Sequence, residues 1–185
     1  MTTLALAWPA TGSSGPSRVR AVALLIFAVA LATLGAALVF ERGLGLAPCK
    51  LCLQQRVPYY VALHVAAATW AFAARPPARF GLLALAAIFT VSAGLGAYHA
   101  GVEWGVFQGP ADCAATGQAN GQAMTGEVGA FLEQLGRARV TSCTQAAWRF
   151  LGLSLAGWNV LVSVGLSAAA LLGWRGSQGS SSVSQ

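Results

Sequence analysis

Charge is what this 185-residue chain has least of. Only 9% of its residues are Asp, Glu, Lys or Arg, and 56% are apolar. A water-facing domain carries about 25% charged residues, so a soluble globular domain is excluded. The same apolar excess excludes intrinsic disorder and a collagen-like repeat, and four cysteines are too few for a small disulfide scaffold. Acidic residues are scarcer than basic ones, five against eleven, which leaves a formal charge of +6.

Those sixteen charges all fall outside four windows, 21–40, 57–74, 80–97 and 150–174. A helix needs about 20 apolar residues to cross the hydrocarbon core, and each window is a continuous apolar run rather than a set of short alternating segments. The expected fold is therefore an all-α integral membrane protein, a four-transmembrane-helix bundle forming one domain over 1–185. Small residues such as Gly94, Gly96, Ser154, Gly157 and Ser163 recur in or beside the spans, where they let helix backbones approach closely. The first window is too long for a signal-peptide core and three more spans follow it, so it reads as an anchor.

Four crossings put both termini on one side. That side comprises the tail 1–20, the turn 75–79 and the tail 175–185, and its charges, Arg18, Arg20, Arg75, Arg79 and Arg175, are all basic. The other side holds the segment 41–56 and the loop 98–149, with six basic residues spread over a longer stretch. By basic density the termini are cytoplasmic and all four cysteines lie outside. The positive charge then reports orientation in the bilayer, and no nucleic-acid partner is expected. In the long loop, Val128, Phe131, Leu132 and Leu135 recur at i, i+3, i+4 and i+7, the pattern of a short amphipathic helix that lies on the membrane surface or caps the bundle.

Cys49-Lys50-Leu51-Cys52 is a C-x-x-C, whereas Cys113 and Cys143 stand thirty positions apart. A structural zinc site favours two close-spaced ligand pairs, and neither His64 nor His99 completes a standard finger, so no metal is expected. A thiolate is the reactive form of cysteine and is favoured at a helix N-terminus or beside an arginine. Cys52 opens the second helix with Arg56 at i+4, which places a guanidinium within reach of its sulfur. Pro58 either kinks that helix or starts it. The competing class is a non-enzymatic four-span protein with loops stapled by structural disulfides. A bridge inside C-x-x-C constrains so little of the unfolded chain that a redox couple is its better use.

Several stretches together resemble one family: Cys49-Lys50-Leu51-Cys52-Leu53-Gln54-Gln55-Arg56, Tyr98-His99-Ala100-Gly101-Val102-Glu103, Cys113, Cys143, and Trp148-Arg149-Phe150-Leu151-Gly152-Leu153-Ser154. Over about residues 20–174 the chain is similar to the disulfide bond formation protein B (DsbB) family of bacterial inner-membrane thiol oxidases. The resemblance implies a protein dithiol:quinone oxidoreductase that reoxidises a periplasmic DsbA-like thiol oxidase of the thioredoxin fold. It passes the electrons to a membrane quinone, ubiquinone or menaquinone. By the same resemblance Cys113 forms the mixed disulfide with the partner and Cys143 is its pair. Cys49 exchanges with that pair, the Cys52 thiolate meets the quinone ring, Arg56 is needed for quinone use, and His99 is a polar group on the quinone side. Glu103 is expected to be an exposed loop carboxylate. Disulfide generators of the vitamin K epoxide reductase type also use four helices and four cysteines, but their C-x-x-C lies near the last span, and here it precedes the second.

Overall fold

A computed structural model describes residues 15–110, 143, 144 and 146–178. Cys113 and the amphipathic stretch around Phe131 lie outside the described residues.

Four long helices form the structure: α1 (Gly15–Arg42), α2 (Lys50–Ala71), α3 (Ala78–Glu103) and α4 (Leu155–Gln178). Three of them, α1, α3 and α4, are long and apolar enough to cross a membrane. α2 is more polar, because its first two turns carry Lys50, Gln54, Gln55 and Arg56. Each helix runs antiparallel to the one before it. A Cβ on Gly173, late in α4, would meet Val22, early in α1, while one on Gly96, late in α3, would meet Asn159 and Val160, early in α4. α3 packs most extensively on α4, and α1 bridges α2 and α4.

The bundle is small inside and large outside, the reverse of a soluble protein. Ala23, Ala30, Ala62, Ala66 and Ala170 are fully buried, and Leu24, Leu31, Val91, Leu161 and Leu172 are exposed. Lipid tails are as apolar as leucine, so such helices associate through close backbone packing and polar contacts. Gly173 shows the limit: an added Cβ would lie 2.9 Å from a Val22 methyl. The larger buried side chains, Ile26, Leu82, Leu85 and Phe89, fill the middle of the bundle around Tyr59.

Several helix ends differ from the apolar windows. α2 starts at Lys50, seven residues before the window at 57, so Pro58 lies inside the helix and does not start it. α3 continues six residues past Ala97 and stops in a Schellman motif, in which the Val106 and Gly105 amides donate to the Gly101 and Val102 carbonyls at 2.8 and 3.1 Å. Gly105 supplies the positive φ, +73°, that this cap requires. The fourth window opens at Phe150, but Arg149–Phe150 and Leu153–Ser154 form a two-stranded antiparallel hairpin, β1 and β2. Its two turn residues, Leu151 and Gly152, both have positive φ. Ser154 then caps α4, its hydroxyl accepting from the Gly157 amide at 3.2 Å.

Candidate active site

The site occupies the end of the bundle where α2 and α4 begin and α1 and α3 finish. Its foundation is a helix cap made of sulfur. Cys49 is the N-cap of α2, and its Sγ accepts from the Cys52 amide at 3.2 Å, the position that a Ser or Asp oxygen takes in an ordinary cap. The C-x-x-C spacing is thus the spacing from N-cap to third helical residue, which puts one sulfur at the positive end of the helix dipole and the other in the first turn. Cys49 is 4% exposed. Both Cys49 and Cys52 are free thiols.

His99 reaches this cap from α3. Its Nε2 lies 3.6 Å from the Cys49 sulfur. The proton on that nitrogen is assigned by a run of buried hydrogen bonds. The Tyr59 hydroxyl donates to Asn159 Oδ1 at 2.6 Å, so the Asn159 amide turns its Nδ2 toward Gln55 Oε1, also at 2.6 Å. Gln55 is left facing His99 Nδ1 with its NH2, at 2.5 Å, and an amide NH2 can only donate. Neutral His99 therefore accepts at Nδ1, carries its proton on Nε2 and donates toward Cys49. Behind Tyr59, Ser163 lies 3.2 Å from the phenol oxygen and its hydroxyl donates to Ser92 at 3.0 Å. Inside a membrane bundle every such group needs a partner, and here they supply one another.

These contacts place the charge of the reduced pair. The bond from Cys52, aided by His99, holds the Cys49 thiol at a pKa of about 4, far below the ordinary 9.0 and against the opposing effect of burial. Cys52 is pushed the other way, first by its bond to Cys49 and then by burial. In the dithiol state Cys49 is the thiolate and Cys52 holds the proton. The arginine expected beside the Cys52 sulfur is directed elsewhere: Arg56 Nη1 donates to Glu41 Oε2 at 2.6 Å, tying α2 to the end of α1.

Glu103 corrects the expectation of an exposed loop carboxylate. Because α3 runs on past Ala97, Glu103 sits one turn after His99 with its side chain only 4% exposed. Its Oε1 lies 3.7 Å from His99 Nε2, and its Oε2 has no hydrogen-bond partner.

A cavity of about 300 Å³ opens beside these groups, walled by Leu34, Phe40, Trp158 and Val162 and reached by Cys49, Cys52, Arg56, His99 and Glu103. That volume is at the small end of organic-ligand pockets, which are mostly apolar with a few placed polar groups. Cys143 is disulfide-bonded, so neither free thiol is its partner. It is 1% exposed and packs in one apolar cluster with Cys49, Leu51 and Val102, against Cys52 and Tyr98.

The family model for disulfide bond formation protein DsbB matches residues 19–173. The chain belongs to the DsbB family. It is 33% identical over 153 residues to disulfide bond formation protein B of Methylococcus capsulatus, covering 82% of this chain and 91% of that protein. It is also 30% identical over 173 residues to the protein of the same name in Nitrosomonas europaea, covering 88% and 98%. A third, from Marinobacter nauticus, is 32% identical over 139 residues, covering 74% and 80%. No solved structure matches the chain. With its apolar helices, the chain is a membrane protein of the disulfide-forming class.

The stretch Cys49-Lys50-Leu51-Cys52-Leu53-Gln54-Gln55-Arg56 holds the cap, the glutamine that orients His99 and the arginine that binds Glu41 within eight residues. Sequence reasoning gave Gln55, Tyr59 and Asn159 no role. Asn159 carried a signal, as a lone amide within an apolar run, since polar groups at membrane depth are costly and need a reason.

Proposed function

We propose that this protein is a four-span inner-membrane dithiol:quinone oxidoreductase that reoxidises a periplasmic DsbA-like thiol oxidase. α2 is the fourth span, the termini are cytoplasmic and the four cysteines face the periplasm. The observation that carries the reading is the pairing of a free, thiolate-bearing C-x-x-C with an apolar cavity, beside a second, disulfide-bonded cysteine in the same cluster.

The steps balance as two exchanges and one oxidation. The partner's dithiol reduces the Cys113–Cys143 disulfide by thiolate attack at Cys113 through a mixed disulfide. The loop dithiol then reduces the Cys49–Cys52 disulfide, Cys49 being the sulfur packed near Cys143. Cys49 and Cys52 finally close their own disulfide, releasing two electrons and the one proton that Cys52 held, the Cys49 proton having left when the pair was reduced. A membrane quinone, ubiquinone or menaquinone, accepts the two electrons with two protons, one from Cys52 and one from solvent, and leaves as the quinol.

This chain's residues set the order. While Cys49 is bonded to a loop sulfur it neither accepts the Cys52 proton nor carries charge, so the main cause that holds Cys52 protonated disappears. The Cys52 thiol, still raised by burial, then gives up its proton more readily at the edge of the cavity. Arg56, fixed by Glu41, supplies positive charge at the rim, and His99 offers its Nε2 proton. The walls from Leu34, Phe40 and Val162 suit a ring that arrives from the lipid. Thiol trapping with and without quinone tests the reading: an oxidase cycles Cys49 and Cys52 between dithiol and disulfide, and cysteines that keep one state whatever quinone is added would refute it.

A further inference from the structure

We propose that the turn between α2 and α3 is a binding site for the phosphate of an anionic phospholipid headgroup, taken up by Arg75 and Arg79 at the lipid boundary. Each guanidinium lies over a phenylalanine ring, that of Arg75 at 4.9 Å from the Phe72 centre and that of Arg79 at 5.2 Å from the Phe80 centre. Separations under about 6 Å hold a cation to a ring face. The rings themselves are on the outside of the bundle, 51% and 53% exposed, and Trp70, two residues before Phe72, is exposed as well. In a membrane protein such outward aromatic rings mark the level where acyl chains give way to headgroups. The two charges are thus moored at the depth of lipid phosphates.

The turn that carries them is tightly closed. Pro76 and Pro77 fix two backbone angles, and the Arg75, Ala78 and Phe80 amides donate to the Phe72, Arg75 and Pro77 carbonyls at 2.8, 3.0 and 3.0 Å. A ring face attracts the charge of a guanidinium but does not take up its five N–H donors. No acid stands at this end among the described residues, and neither guanidinium has a hydrogen-bond acceptor among them. A phosphate diester supplies both, two oxygens that match the guanidinium fork and one negative charge. A zwitterionic headgroup brings its own ammonium against Arg18, Arg20 and Arg175 at the same end, so a headgroup of net negative charge is preferred.

Arg20 offers a comparison within that end. It is exposed like Arg75 and has the same charge, but no ring lies beneath it among the described residues. A diffuse field would use all these arginines alike, whereas a site built on the rings uses Arg75 and Arg79 more. Headgroup binding needs neither the sulfurs nor a quinone, so it stands apart from the oxidase reading.

The test is a titration of the full chain, stripped of lipid in an uncharged detergent, with phosphatidylglycerol, phosphatidylcholine and inorganic phosphate in separate arms. Thermal unfolding and native mass spectrometry give the readout. Phosphatidylglycerol should raise the unfolding temperature in a saturable way and stay bound to the chain, and the other two should do neither at the same concentration. Arg75→Gln and Arg79→Gln should each weaken that binding by about fivefold, and Arg20→Gln by about twofold or less. Unchanged alkylation of Cys49 shows that each variant is folded. Equal binding of the two lipids would overturn the proposal, and so would inorganic phosphate binding as tightly as the lipid, because that is a site for a free anion. Equal losses in Arg20→Gln and Arg75→Gln would overturn it too, leaving only a diffuse field.

Discussion

The two ends of the bundle are built from the same small and apolar residues and handle charge in opposite ways. At the turn end the charges are Arg18, Arg20, Arg75, Arg79 and Arg175, with Arg75 and Arg79 lying over the rings of Phe72 and Phe80 at 4.9 and 5.2 Å. Arg20, Arg75 and Arg175 are exposed, and there is no acid among the described residues there. At the cysteine end both described carboxylates, Glu41 and Glu103, line the cavity, and the polar side chains Gln55 and His99 are buried. Charge at the first end is left to the water and the headgroups. At the second, Arg42, Lys50 and Arg149 stay exposed too, but Glu103 is enclosed beside His99, and enclosed hydrogen bonds from Cys52 and His99 can shift a thiol far from its ordinary state.

The contrast breaks most completely if the sulfurs are removed. Cys49→Ser and Cys52→Ser should each abolish quinone-dependent oxidation of a dithiol partner, read as quinol formed per partner disulfide, because the pair cannot close with one sulfur. Asn159→Leu should come next. It takes away the amide that orients Gln55 and through it His99, at the cost of a hydrogen bond to a charged group, about 1.5–3 kcal/mol. In the reduced protein Cys49 should alkylate at a rate nearly flat from about pH 8 to pH 5, since the thiolate is the nucleophile and persists above its pKa of about 4. In Asn159→Leu the fall-off should move to higher pH, to a proton concentration lower by about tenfold or more. A profile that stays put would show that the run of hydrogen bonds holds the fold and not the thiolate.

Arg56→Ala should act less on the sulfurs than on the cavity. It leaves Glu41, whose side chain is 33% exposed, without its guanidinium at the rim. The expected result is a rise of about tenfold in KM for quinone, about 1.4 kcal/mol, with the Cys49 alkylation profile unchanged. Arg56→Lys should recover part of the loss, since it keeps the charge without the fork. At the opposite end Gly173→Ala forces a methyl to 2.9 Å from Val22, and thermal unfolding in detergent should show a loss of about 1 kcal/mol or somewhat more. Cys49 reactivity should not change, and if it does the two ends are not independent.

What the sequence makes legible follows from how far each signal reaches along the chain. The apolar windows locate the four helices because crossing a bilayer needs a long uninterrupted run, and that is a local property. The ends are less legible. The charged Arg56 closes the second window, yet the helix is carried back to Lys50 by the Cys49 cap, and caps are written in one side chain rather than in hydropathy. The same limit misplaced Glu103. With α3 taken to stop at Ala97 the residue falls in a loop, whereas the Schellman cap at Gly105 keeps it helical and turns it inward. His99 and Glu103 at i, i+4 were the available clue. The Asn159 to Gln55 bond spans 104 residues and has no local signature. Arg56 lies at i+4 from Cys52 as the sequence says, but its partner Glu41 belongs to the neighbouring helix, which spacing alone cannot reveal.

The measurement closest to the central claim is anaerobic turnover of the purified protein with a reduced thioredoxin-fold dithiol and either ubiquinone or menaquinone. Cysteine states should be trapped by acid quenching throughout. The account predicts one quinol per partner disulfide, with Cys49 and Cys52 passing from dithiol to disulfide and back as the reaction proceeds. Partner oxidation that continues while this pair stays reduced, or no quinol with either quinone, would contradict it.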